Sequence, residues 1–249
     1  MKSQSPRADD SGQRMDDSKT ISPLYLLADS QLLFWRGNNN DNGLIGRIRA
    51  NLPADNPKAA YIGASNGDRA EFYDLFVAAM QGMGISNCRN IPTHLANEDR
   101  LFLEKADLVL LAGGDVERGW HAFEGNGVKD LILRKRYDKS ILIGVSAGAI
   151  QLGQGALTDA PQLKKLDLFG FLPFYVGAHE EKEEWWNLRA LVQLSQPGAR
   201  GVGIPTGGGA IYQPDGTLEP IRFPLTELLK EGDQVSERLL IPLKPSLSL

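Results

Sequence analysis

Three times this chain runs from a short apolar stretch into a cluster of small residues and then into a helical pattern. The stretches are AAYIGASNGD (59–68), ADLVLLAGGD (106–115) and SILIGVSAGA (140–149). Apolar strands separated by helices predict an α/β fold, a mainly parallel sheet with helices on both faces. In such sheets, sites form beyond the carboxyl ends of the strands. All three clusters of small residues fall at such ends.

The rest of the chain fits this plan. SPLYLLAD (22–29) and QLLFWRG (31–37) read as β-type runs before a Gly/Asn-rich turn at GNNNDNG. Residues 68–84 place Phe72, Leu75, Phe76 and Ala79 on one helical face and stop at a glycine. Roughly 115–137 reads as helical, 171–179 and 200–216 supply later strands, and an amphipathic helix is expected at about 181–196.

Composition narrows the function classes. A length of 249 residues suits one large α/β domain or two small ones, and 42% hydrophobic residues supply a real core. The net charge of −4 gives no electrostatic footing for nucleic acid or an anionic membrane. No apolar run approaches the ~18 residues of a bilayer span. Residues 1–20 are polar, lack the apolar core of a secretion signal and read as a disordered tail. Residues 21–249 are then expected to form a single catalytic domain.

Cys88 is the sole cysteine, so no internal disulfide forms. The three histidines, His94, His121 and His179, show no metal-ligand spacing. The expectation is a reducing, cytoplasmic setting, with no metal and no organic cofactor.

The sharpest motif is Gly144-Val145-Ser146-Ala147-Gly148, a G-x-S-x-G between a strand and a helix. There a serine sits on a strained turn, and small neighbours give it steric clearance. The same residues could form a plain tight turn or a phosphate-binding loop; the flanking strand and helix favour a nucleophile. A serine hydroxyl needs a base. His179 follows an apolar strand and precedes a helix, which places it at the same sheet edge as Ser146, whereas His94 and His121 read as surface or helix residues. Asp159, on a loop between serine and histidine, is a candidate to orient the base. Glu180, Glu181, Glu183 and Glu184 are also close to His179, but read as a solvated helix face. Ala147 offers one oxyanion N–H, and the AGGD stretch at 112–115 offers another.

These pieces resemble the serine peptidases that include dipeptidase E (aspartyl dipeptidase) and cyanophycinase, built on a class I glutamine amidotransferase-like, flavodoxin-like three-layer sandwich. The matching segments are ADLVLLAGGD, ILIGVSAGAIQLG, LDLFGFLPFYVGAH and GVGIPTGGGAIY, in family order. The resemblance implies Ser146 as nucleophile, His179 as base, Gly114 and Ala147 as oxyanion donors, and Asp159 as the nearest match to the acid. It implies a small peptide or isopeptide substrate and leaves a homodimer open. An esterase or amidase, or a binding protein that kept the fold without a complete relay, are the competing readings.

The chain departs from the family in three places. Thr206 stands where members often carry an acid, Glu180 replaces the aromatic after the histidine, and Glu184 aligns with the arginine that reads an aspartyl side chain. Arg189 matches a different arginine. Glu184 as a substrate-binding residue would turn the pocket toward basic or amino groups, or else mark a divergent member with another substrate.

Overall fold

The computed structural model describes residues 21–35, 43–158 and 164–242. The first five strands are β1 (Leu24–Leu27), β2 (Lys58–Ile62), β3 (Asn87–Ile91), β4 (Leu108–Leu111) and β5 (Ile141–Val145). A two-stranded ribbon follows, β6 (Gly155–Leu157) with β7 (Lys165–Asp167). The chain then forms β8 (Tyr175–Ala178), β9 (Arg200–Ile204), β10 (Gly209–Tyr212) and β11 (Leu218–Ile221), and ends with β12 (Leu225–Glu231) and β13 (Gln234–Leu240).

The main sheet has seven strands in the order β11-β10-β1-β5-β4-β2-β3. Its five earliest strands are parallel, while β10 and β11 add an antiparallel edge. A second sheet, ordered β13-β12-β9-β8, pairs β8 with β9 in parallel and adds β12 and β13 antiparallel.

Alternation along the strands decides the layering. Leu24 and Leu26 of β1, Val109 and Leu111 of β4 and Leu142 of β5 pack into one core. Tyr25, Leu27, Leu108, Leu110, Ile141 and Ile143 from the same strands pack into another. Both faces are therefore apolar, and each needs helices over it.

The second face is covered by α1 (Leu44–Ala50) and α2 (Ala70–Gly82). The first is covered by α3 (Asn97–Glu104), α4 (Val116–Asn126), α5 (Val128–Lys135) and α6 (Ala147–Leu152). Val176, Val202 and Leu225 of the second sheet join that same core. Each such side chain contributes about 1.5–3 kcal/mol when fully buried. The remaining helix, α7 (Trp186–Gln193), packs on the second sheet through Leu188, Leu191 and Val192.

Local chemistry redraws several expected boundaries. QLLFWRG does not extend as a strand; Asp29 caps a 3-10 turn over Ser30–Leu33 through the Gln31 N–H. The helical stretch after Asp115 is two helices, because Gly127 turns left-handed at φ 79° between them. The stretch at 181–196 opens as a 3-10 turn, Glu181–Glu183, and two successive left-handed residues, Glu184 and Trp185, separate it from α7. Trp185 is the reason for that kink. Its buried indole packs where a Cβ on Gly203 would stand, 2.6 Å away. Among the described residues no helix is long and apolar enough to cross a membrane.

Candidate active site

Ser146 stands at the end of β5 with φ 50° and ψ −112°. A non-glycine residue at such angles is strained, and the surroundings must hold it there. They do so from both sides. The Ser146 N–H donates to the Leu27 carbonyl at 2.8 Å, and its own carbonyl accepts from Ala149 at 2.9 Å and Ile150 at 3.1 Å. Gly148 lets α6 press onto β4: a Cβ there would lie 2.1 Å from the Leu111 oxygen.

His179 follows β8 and also has a positive φ, 49°. Its N–H donates to the Ile204 carbonyl at 2.9 Å, which fixes the turn against β9. The result is a contact between two sheets: Ser146 Oγ lies 2.7 Å from His179 Nε2. The other histidines are elsewhere. His121 sits on α4 between Glu117 and Glu124, at 3.4 and 3.9 Å, and neither it nor His94 lines the cleft at Ser146.

The loop after β4 meets the serine from the other side. A Cβ on Gly113 would be 3.2 Å from the Ser146 Cβ, so the two backbones nearly touch. Gly114, at φ 130°, could carry no side chain, since a Cβ would stand 2.3 Å from the Ser65 oxygen. That carbonyl accepts from the Asp115 N–H at 2.8 Å. Gln151 completes the clamp. Fully buried on α6, it donates to the Ser65 hydroxyl at 3.1 Å and the Val116 carbonyl at 3.0 Å. One amide thus ties together the three small-residue clusters that follow β2, β4 and β5.

Asp159 lies outside the described residues. Among the glutamates that follow His179, Glu181 is tied to the turn after β9: its Oε1 accepts from the Thr206 N–H at 3.2 Å. Partial burial pushes its carboxyl up, but hydrogen bonds from the side chain and backbone of Thr206, its own N–H and the nearby His179 outweigh this. The carboxyl is held below its ordinary value. Its Oε2 is buried without a hydrogen-bond partner. Glu180 instead accepts from Asn187.

Glu184 is not brought to the serine. It ends the 3-10 turn in a left-handed conformation, its carbonyl accepts from Arg189 Nε at 2.8 Å, and it lines no part of the cleft. The alignment with the family's arginine assumes an unbroken helix back from NLRALV, and the left-handed residues 184 and 185 break it. Among the described residues no group of three metal-ligating side chains converges.

A cleft of about 460 Å³ opens on Ser146 and His179. Its walls come from the ends of β1, β2, β4 and β5 and from the first turns of α2, with Asp29, Arg69, Asp115 and Arg118 among the lining. Gln151 and Asp29 belong to no motif in the sequence, whereas Glu181 is one of the four glutamates that follow His179. A glutamine inside the otherwise apolar AGAIQL segment was the available signal for the first.

The family model for peptidase family S51 matches residues 32–219, well over half of the chain. The chain belongs to peptidase family S51. That membership makes it a serine-type peptidase. No curated protein gives a significant match.

Solved structures share the S51 chain's fold at low identity. A peptidase from an acI-B1 Actinobacterium superposes with a TM-score of 0.68 at 18% identity, covering 91% of this chain and 96% of that one. A protein named as peptidase E from Listeria monocytogenes EGD-e gives a TM-score of 0.57 at 15% identity, covering 89% and 100%.

Proposed function

We propose that this S51 peptidase cleaves a small peptide or isopeptide by acyl transfer, with Ser146 as nucleophile and His179 as general base. The observation that carries the assignment is the 2.7 Å approach of Ser146 Oγ to His179 Nε2, between two residues that both sit at positive φ. Strained backbone that the fold maintains on both partners of one hydrogen bond is a mark of a working site.

Ser146 Oγ bonds to the scissile carbonyl carbon as its proton passes to His179 Nε2. The oxyanion that forms is met by the N–H groups of Gly114 and Ala147. His179 then gives its proton to the leaving nitrogen as the C–N bond breaks. Water attacks the acyl carbon, its proton goes to His179, and the acid departs as Oγ recovers a proton. Two carboxylates compete to orient His179: Asp159, by resemblance, and Glu181, which Thr206 holds beside it. Thr206 stands where relatives often carry the acid, and its N–H instead grips an acid from the neighbouring turn. A reducing, cytoplasmic setting, suggested by the single Cys88, belongs to the same reading.

A fluorophosphonate probe tests the assignment. The native protein should label, and Ser146→Ala should not; equal labelling of both would overturn the nucleophile. His179→Ala should reduce turnover by orders of magnitude, as loss of a triad member does. Of Glu181→Gln and Asp159→Asn, the variant that lowers kcat while leaving KM unchanged identifies the positioning acid.

A further inference from the structure

The apolar stripe of α2 is longer than the core it serves. Phe76, Ala79 and Met80 are buried, while Phe72 and Leu75, on the same face, remain 39% and 45% exposed. Both overhang the carboxyl end of the main sheet and line the cleft at Ser146. Together with Leu33, Tyr61, Phe76 and Val145 they make its wall mainly apolar. Tyr61 and Phe76 pack at a tilt there, with ring centres 5.4 Å apart.

Most polar groups of this wall, the Arg118 guanidinium excepted, are turned to internal work. The Tyr61 hydroxyl accepts from Asn66 Nδ2 at 2.8 Å, and Asn66 Oδ1 accepts from the Arg69 N–H at 3.2 Å. The Arg69 guanidinium pairs with Glu71 and lies over the Phe72 ring. Asp29 accepts from the N–H groups of Gln31 and Gly207, and Asp115 from that of Arg118. Two cations, Arg69 and Arg118, and two anions, Asp29 and Asp115, line the cleft, so its charge is of mixed sign. Its volume of about 460 Å³ falls in the range of small-ligand sites, roughly 300–1,000 Å³.

Resting on the hydrolase reading above, we infer that the cleft selects substrates carrying a bulky apolar or aromatic side chain beside the scissile bond, and favours neither acidic nor basic ones. Two exposed apolar side chains next to a nucleophile are accounted for by an apolar group that covers them during binding. This differs from the expectation based on Glu184, which lies away from the cleft.

The test separates the pocket from the chemistry. Binding of N-acetyl amino acid amides to Ser146→Ala protein is measured by calorimetry for Phe, Leu, Ala, Asp and Lys. Phe and Leu amides should bind roughly 10- to 100-fold more tightly than Ala amide, with Asp and Lys no tighter than Ala. Replacing both Phe72 and Leu75 by serine should bring the Phe-to-Ala ratio to within about threefold, a loss comparable to the burial contribution removed. Leu194→Ser, which alters an exposed leucine outside the cleft, should leave that ratio as it is. A flat ranking, a preference for Asp or Lys, or no measurable binding by any amide overturns the inference. Fluorophosphonate labelling of the native protein reports separately: failure to label sinks the hydrolase reading, while the binding ranking still decides the cleft.

Discussion

At the scale of single residues, the backbone of Ser146 sets a contest between stability and function. Its φ of 50° and ψ of −112° suit glycine far better than serine. Strain of this kind costs about 1–3 kcal/mol, while glycine gives back roughly 0.5–1 kcal/mol through a freer unfolded chain. Ser146→Gly is therefore expected to be about 1 kcal/mol more stable than Ser146→Ala, a rise of ~2–4 °C in melting temperature. Thermal unfolding of the two variants checks this, and an equal or lower melting temperature for the glycine form would remove strain from the account. The G-x-S-x-G motif made this residue legible, since the need for small flanking residues is written in the sequence. Glu181 was harder to see. Its grip by the Thr206 N–H depends on where β8 and β9 place two distant turns, and no spacing in the chain reports that.

Elements show the same division. Strands β2, β4 and β5 and the helices after them were readable because burial on both faces demands unbroken apolar runs. β3 was not, because NCRNI carries only one fully buried residue. β12 and β13 are not legible either, since LTELLKE buries Thr226 and Glu227 beside Leu225 and Leu228, and QVSERLL buries none of its residues. Helix α6 is short, and Gln151 explains how it still holds the site together. Gln151→Leu keeps the volume but removes the donor shared by the Ser65 hydroxyl and the Val116 carbonyl. The expected cost is about 1 kcal/mol, the net contribution of such a hydrogen bond. Because those groups lie in the loops that flank Ser146, probe labelling should slow as well. Chemical denaturation together with labelling rates checks both effects; normal rates in a destabilised variant would restrict Gln151 to a structural role.

For the whole molecule, the second sheet is pinned by a buried carboxylate. Glu227 of β12 pairs with Arg200 of β9 and Arg238 of β13. Burial pushes its carboxyl up, but the two guanidinium groups win and hold it below the ordinary 4.5. A depressed folded value means that its contribution is fully present above pH ~4.5 and is lost as pH falls through the folded value. Glu227→Gln should thus be less stable near neutrality and show a shallower acid limb, read from melting temperatures across pH 3–7. An unchanged acid limb would assign acid sensitivity to other groups.

The hydrogen bond from Ser146 to His179 crosses from the first sheet to the second, and this has a consequence in time. Synthesis delivers the serine, on β5, well before the histidine, and β9 and β12, which complete the histidine's sheet, emerge later still. Contacts between segments distant in sequence form late, after the chain entropy of closing them has been overcome. A nascent chain holding a finished β5 elbow therefore has Ser146 in place without the histidine that the proposed mechanism pairs with it. On the proposed assignment, the pair of Ser146 and His179 is complete only once the two sheets dock.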